Sequence, residues 1–177
     1  MKKHIVFFLV VLLSTVMSSC SWRENGKKVD NDRKIANQQL DNVVEAIRQQ
    51  DTDALTVLFS GTALKKASGF GEAATELFGY FEGELVSYDD WAGPYVSTER
   101  EWNYVLQIME STYDVKTTEC DYRIAIRYVA QDTSNKQNVG IESLYIIRSD
   151  KDEDLSLAYY GDGKFTPGIN IGIPNCK

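Results

Sequence analysis

Asp121-Tyr122-Arg123-Ile124-Ala125-Ile126-Arg127-Tyr128-Val129-Ala130-Gln131 decides the fold of this chain. Tyr122, Ile124, Ile126 and Tyr128 alternate with Arg123, Ala125, Arg127 and Val129, so successive side chains leave opposite faces of a strand. Upstream, Tyr104–Thr117 reads as the other arm of a long hairpin that turns near Thr118-Glu119-Cys120. Downstream, Asp132–Asn138 is a polar turn, Val139–Arg148 is a strong strand, and Leu155–Tyr160 and Ile169–Ile173 are weaker ones. Ahead of the hairpin, Glu84–Tyr88 reads as a short strand. Asp89–Ser97, with Trp91, Gly93 and Pro94, reads as a loop.

The preceding third of the chain has helical periodicity instead. Ile35, Ala36, Leu40, Val43, Val44 and Ile47 recur at helical spacing behind a cap at Asn31 or Asp32. Asp51 caps a second helix through Phe59 that buries Leu55, Leu58 and Phe59. Ser60-Gly61 turns the chain into a small Ala63–Ala67 segment. Glu72 to Phe81 forms a further helix, burying Ala73, Leu77, Phe78 and Phe81 in some combination. Helices followed by antiparallel strands indicate an α+β domain, with the N-terminal helices packed on one face of a curved antiparallel sheet.

The first twenty residues carry a different message. Met-Lys-Lys-His precedes an apolar run from Ile5 to Leu13, then Ser-Thr-Val-Met-Ser-Ser and Cys20. The run is too short to span a bilayer and has the order of an export signal. It resembles the lipobox of bacterial lipoprotein precursors, which implies cleavage before a lipid-modified Cys20. The expected organisation is a cleaved signal peptide at 1–19, a lipidated cysteine and flexible tether at 20–32, and one α+β domain at 33–174. The tether reaches about 20 Å by random-coil scaling. Its Arg23, Lys27 and Lys28 suit anionic headgroups, and Trp22 suits the interface, although a plain solvated linker has the same composition. The expected location is the extracytoplasmic face of a cell membrane, held by acyl chains on Cys20. Each buried methylene contributes about 0.8 kcal/mol, so two or three chains anchor durably where one is marginal.

Charge and composition exclude several function classes. The chain has 19 basic and 26 acidic side chains; removing Lys2 and Lys3 leaves 17 basic ones and takes the net charge from −7 to −9. Such a surface repels nucleic acid phosphates, so no nucleic acid partner is expected. The only histidine, His4, lies in the expected signal peptide. That removes His-dependent triads, zinc proteases and copper sites, and no metal or cofactor is expected. With Cys20 acylated, Cys120 and Cys176 remain as one candidate disulfide.

Gln50-Asp51-Thr52-Asp53-Ala54-Leu55, running into Leu58-Phe59-Ser60, resembles the second-helix signature of the nuclear transport factor two-like superfamily. That superfamily includes ketosteroid isomerase and scytalone dehydratase. The resemblance is closer to a family of bacterial lipoproteins of unknown function with the same fold. It is carried by Phe81-Glu82-Gly83-Glu84, Tyr122-Arg123-Ile124, Asn138-Val139-Gly140-Ile141 with Ser143-Leu144, and Tyr160-Gly161-Asp162. It implies a cone of helices over a strongly bent sheet, covers most of 33–173, and supplies no catalytic residues.

Candidate site residues follow from chemistry. Trp91, Tyr95, Trp102, Tyr104, Tyr128 and Tyr145 are ligand-binding candidates, since aromatic walls suit a small apolar or ring-shaped ligand. The same rings also serve as core or as an exposed patch for an envelope protein partner. Asp114, Glu110 and Glu142, with Tyr128, are candidates for a histidine-free carboxylate–tyrosine pocket of the ketosteroid isomerase type. Arg127 is equally placed to pair with one of those carboxylates across strands. Asp150, Asp152 and Asp154 open like a calcium loop, but Leu155 and Gly161 occupy the positions that need glycine and glutamate, so the run reads as a solvated turn. Gly161-Asp162-Gly163-Lys164 lacks phosphate-loop spacing and is also a turn. The leading expectation is a membrane-anchored, non-catalytic binding module for a small ligand or an envelope protein. The alternative is a histidine-free lyase or isomerase.

Overall fold

The computed structural model describes residues 28–149 and 166–172, the side chain of Trp91 excepted. The expected signal segment, Cys20, the acidic run from Asp150 to Asp154, the strand expected at Leu155–Tyr160, Gly161–Lys164, Ile173 and Cys176 lie outside the described residues. Helix α1 covers residues 28–49, so it is formed ahead of the cap expected at Asn31 or Asp32, and the last residues assigned to the tether are helical. Two compact units divide between Ile35 and Ala36, and the core, the sheet and the cleft all belong to the second.

Local chemistry sets the helix boundaries. The Asp51 carboxylate accepts the Ala54 amide at 2.8 Å and starts α2, Thr52–Leu58. Ser60 does the same for Ala63 at 3.0 Å and starts α3, Gly61–Lys66. Gly69, in the left-handed region, opens α4, Phe70–Tyr80. Leu77 and Ala74 are the fully buried residues of α4, while Ala73, Phe78 and Phe81 are half-buried.

Five strands follow among the described residues: β1 Leu85–Glu101, β2 Tyr104–Thr117, β3 Asp121–Asp132, β4 Gly140–Arg148 and β5 Gly168–Ile171. They pair in sequence order into a curved, open sheet, antiparallel except for the parallel β4–β5 pair. The expected loop Asp89–Ser97 is strand instead. Bulges between Asp90 and Ala92 and between Ala92 and Tyr95 break its alternation, which hides it from a period-two reading. Pro94 is tolerated because β1 is an edge strand. Gly93, at φ +98°, lies so close to β2 that a Cβ there would sit 2.5 Å from the Glu110 carbonyl oxygen.

One face of the sheet carries the helices. Leu40, Val43 and Ile47 of α1, Leu55 of α2 and Leu77 of α4 pack with Tyr113, Tyr122, Ile124, Ile126, Leu144 and Ile146. Each fully buried side chain of this size contributes roughly 1.5–3 kcal/mol, so this layer is the main source of stability. Tyr113 and Tyr122 are fully buried here, and both hydroxyls find acceptors: Tyr113 donates to Asn37 Oδ1 at 3.2 Å, Tyr122 to the Tyr80 carbonyl at 2.9 Å. Burial pushes the Tyr122 phenol up to about 12. The domain is mixed α+β.

The helical half meets the sheet at a close backbone crossing. Phe59 bridges Ile141 in parallel, and the Ser60 amide donates to the Ile141 carbonyl at 2.9 Å. Gly140 makes this possible: at φ +127°, a Cβ would lie 2.7 Å from the Ser60 nitrogen and 3.0 Å from the Phe59 carbonyl carbon. Gly140→Ala therefore lowers the unfolding free energy by more than about 1 kcal/mol in urea denaturation, because both the φ value and the crossing oppose the methyl.

Candidate functional site

The sheet face opposite the helices is polar at its centre. Directly opposed residues share a face, so the register places Glu110, Thr112 and Asp114 of β2 beside Arg127, Ala125 and Arg123 of β3, then Ser143, Tyr145 and Ile147 of β4. Arg127 grips a carboxylate on each flanking strand: its Nε donates to Glu142 Oε2 at 2.7 Å, and its Nη1 pairs with Glu110 Oε1. Simple alternation from Leu144 and Ile146 would send Glu142 to the helix face. The register shift between Arg127 and Tyr128 leaves Glu142 as the extra residue of a bulge, and its carboxylate reaches Arg127. Arg123, itself buried, binds Asp114 Oδ1 at 2.8 Å. The three carboxylates proposed as general bases are thus committed to guanidinium groups.

A half-open cleft of about 290 Å³ lies between α3, the open end of this face and the turn after β3. Ser60, Thr62, Ala63 and Lys66 come from α3 and its cap. Leu106 and Ile108 come from β2, with Tyr104 beside them. Arg127, Val129 and Glu142 form the sheet wall, and Pro167 the far rim.

Asp132, Ser134 and Asn138 contribute the turn, and Asp132 organises it. Its Oδ1 accepts from the Ser134 amide at 2.8 Å, the Ser134 hydroxyl at 2.7 Å and the Asn135 amide at 3.0 Å; Oδ2 accepts from Asn138 Nδ2 at 2.7 Å. These donors hold the carboxyl at about 2, below its ordinary 3.8. The turn is then fastened to α3: Thr62 Oγ1 donates to Asn138 Oδ1 at 2.6 Å, and Lys65 Nζ to Gln137 Oε1 at 2.7 Å.

The aromatic candidates are dispersed. Tyr104 lines the cleft, and burial raises its phenol above the ordinary value. Tyr128 packs against the helix-side core, and the Tyr145 hydroxyl accepts the Thr166 amide at 2.7 Å. Tyr95 is exposed on β1, and Trp102 at the β1–β2 turn is fully exposed. Cys120 is buried with a free thiol 3.5 Å from Glu82 Oε2; its candidate partner Cys176 lies outside the described residues. Among the described residues no cluster of three acidic, cysteine or histidine side chains is placed to hold a metal, and no helix is long and apolar enough to cross a membrane.

The cleft was not apparent in sequence, because its walls come from segments as distant as Ser60 and Pro167. Asp132-Thr133-Ser134-Asn135 carries the signal of a side-chain-capped turn, and it marks one wall.

Two measurements test these contacts. The folded carboxyl of Asp132 lies below its unfolded value, so its contribution to stability is complete above about pH 4 and is lost as pH falls through about 2. Asp132→Asn flattens that part of the acid-unfolding profile. Separately, Thr112 Oγ1 and Ser143 Oγ are buried without a hydrogen-bond partner among the described residues. Thr112→Val removes one such hydroxyl and raises the unfolding free energy by about 1 kcal/mol in urea denaturation.

The family model described as a domain of unknown function, DUF5104, matches residues 42–149, more than half of the chain. The chain belongs to that family. No curated protein matches it.

Proposed function

We propose that this DUF5104 protein is a lipid-anchored, extracytoplasmic binding module that takes a small ligand in the cleft beside α3. The cleft carries this reading: it is a concave site with apolar and polar walls, built on a strand bulge, a capped helix and a cross-linked turn. The lipobox-like run ending at Cys20 supports the anchor, and the order of helices and curved sheet supports a cone of the nuclear transport factor two-like kind.

Binding is preferred to catalysis for a specific reason. A carboxylate–tyrosine isomerase needs a carboxylate free to reach its substrate. Glu110 and Glu142 are both held by Arg127, and Asp114 by Arg123. Tyr128 faces the other side of the sheet, away from them.

Native mass spectrometry of the protein purified from its own membranes tests both parts. The expected species begins at Cys20, carries acyl chains and retains a small molecule that Ser134→Trp, at the cleft rim, displaces. Cys20→Ala shifts the protein to the soluble fraction. An unacylated wild-type chain overturns the anchor, and an acylated chain that never retains a ligand turns the reading toward a protein partner.

A further inference from the structure

The parallel pairing of β4 with β5 imposes a route on the chain between them. β4 ends at Arg148 and β5 begins at Gly168, yet Gly168 stands beside Ser143, about 17 Å back along β4 by strand geometry. Parallel neighbours cannot be joined by a tight turn in the plane of the sheet. The chain has to leave the sheet, return over one face and re-enter. Residues 149–167 make that return.

The helix-side face is taken. Leu144 and Ile146 of β4 are buried in the helix-side core, and Ile169 and Ile171 of β5 pack against it. The chain re-enters from the other face, where Thr166 is held by both its backbone groups. Its amide donates to the Tyr145 hydroxyl at 2.7 Å, and its carbonyl accepts from Asn170 Nδ2 at 3.0 Å. Tyr145 and Asn170 are directly opposed and share their face with Ala125 and Thr112. Pro167, the next residue, forms the far rim of the cleft at the open end of that face.

That face is also dry. Tyr145 is 4% exposed and Ile147 3%, with Thr112, Ala125 and Ser143 buried beside them. Large side chains on the outer face of a sheet stay wet unless another layer lies on them. The described helices are not that layer. Leu55 of α2, Ala63 of α3 and Leu77 of α4 belong to the core on the opposite face, with Leu40, Val43 and Ile47 of α1. Residues 150–165 have the sequence of a covering segment: Leu155, Leu157 and Tyr159 alternate with Ser156, Ala158 and Tyr160, between the polar runs Asp150–Asp154 and Gly161–Lys164.

We propose that the sheet face opposite the helices is the docking surface for residues 150–165, which seat Leu155, Leu157 and Tyr159 on Ala125, Tyr145 and Ile147. The sheet is then the middle of three layers. This inference is independent of the cleft as a binding site and of the anchor.

Photo-crosslinking of the full-length protein tests it, with p-benzoylphenylalanine in place of Tyr159. Illumination is expected to give an adduct within one chain, mapped by mass spectrometry to 110–114, 123–127 or 143–147. An adduct on α1–α4, or none, overturns the docking; one joining two chains overturns it and gives the face to a second copy. Hydrogen exchange needs no substitution at the segment itself. Amides of 155–160 should exchange about a hundredfold slower than in a free peptide of the same sequence. Ile147→Ala should speed their exchange about tenfold more than that of α2 and α4, with thermal denaturation checking that the variant is folded. Exchange of 155–160 at the free-peptide rate overturns the docking, as does protection that Ile147→Ala leaves untouched.

Discussion

One backbone hydrogen bond, from the Ser60 amide to the Ile141 carbonyl, fixes where the helices join the sheet. Its position is permitted by the missing side chain at Gly140. Ser60 is at once the residue that makes this bond and the cap of α3, so helix start and sheet edge are set by the same few atoms. From there α3 presents Thr62 and Lys65 to the turn after β3, and that turn closes the cleft. The site is a consequence of this crossing more than of the hydrophobic core, which lies on the other face.

Elements whose signal is local were legible in the sequence. The β2–β3 hairpin announced itself by alternation, the fourth strand by its Ile-Glu-Ser-Leu-Tyr-Ile-Ile run, and α2 by Asp51. Each signal acts within a few residues, where sequence order and spatial order coincide. The failures share a cause as well. β1 was read as strand and loop because two bulges shift its phase, and Gly93 and Pro94 carry turn chemistry that an edge strand accommodates. Glu142 could be named as a candidate, but its partner depended on another bulge. The Thr62–Asn138 contact spans 76 residues and leaves no periodic trace. The aromatic candidates illustrate a further limit: composition counts rings, and only the register decides that Tyr128 packs against the core while Trp102 stands in solvent.

Arg127 shows how a polar network restricts chemistry as it supports shape. Bound to β2 and β4 together, it ties three strands across the face without helices, at a point where all three side chains are partly exposed. Such a network adds modest stability in contact with water. Its larger effect is orientational, since one guanidinium fixes both Glu142 Oε2 and Glu110 Oε1.

The broken phase of β1 has a bearing on life at high density. A seventeen-residue edge strand with continuous pairing geometry would be a template on which a neighbouring copy could zip up. In β1 the ladder is interrupted at three places, a proline removes one donor, and Asp89, Glu99 and Glu101 add charge. The irregularities that obscure this strand from a reader of sequence are the same ones that discourage its neighbours from joining it.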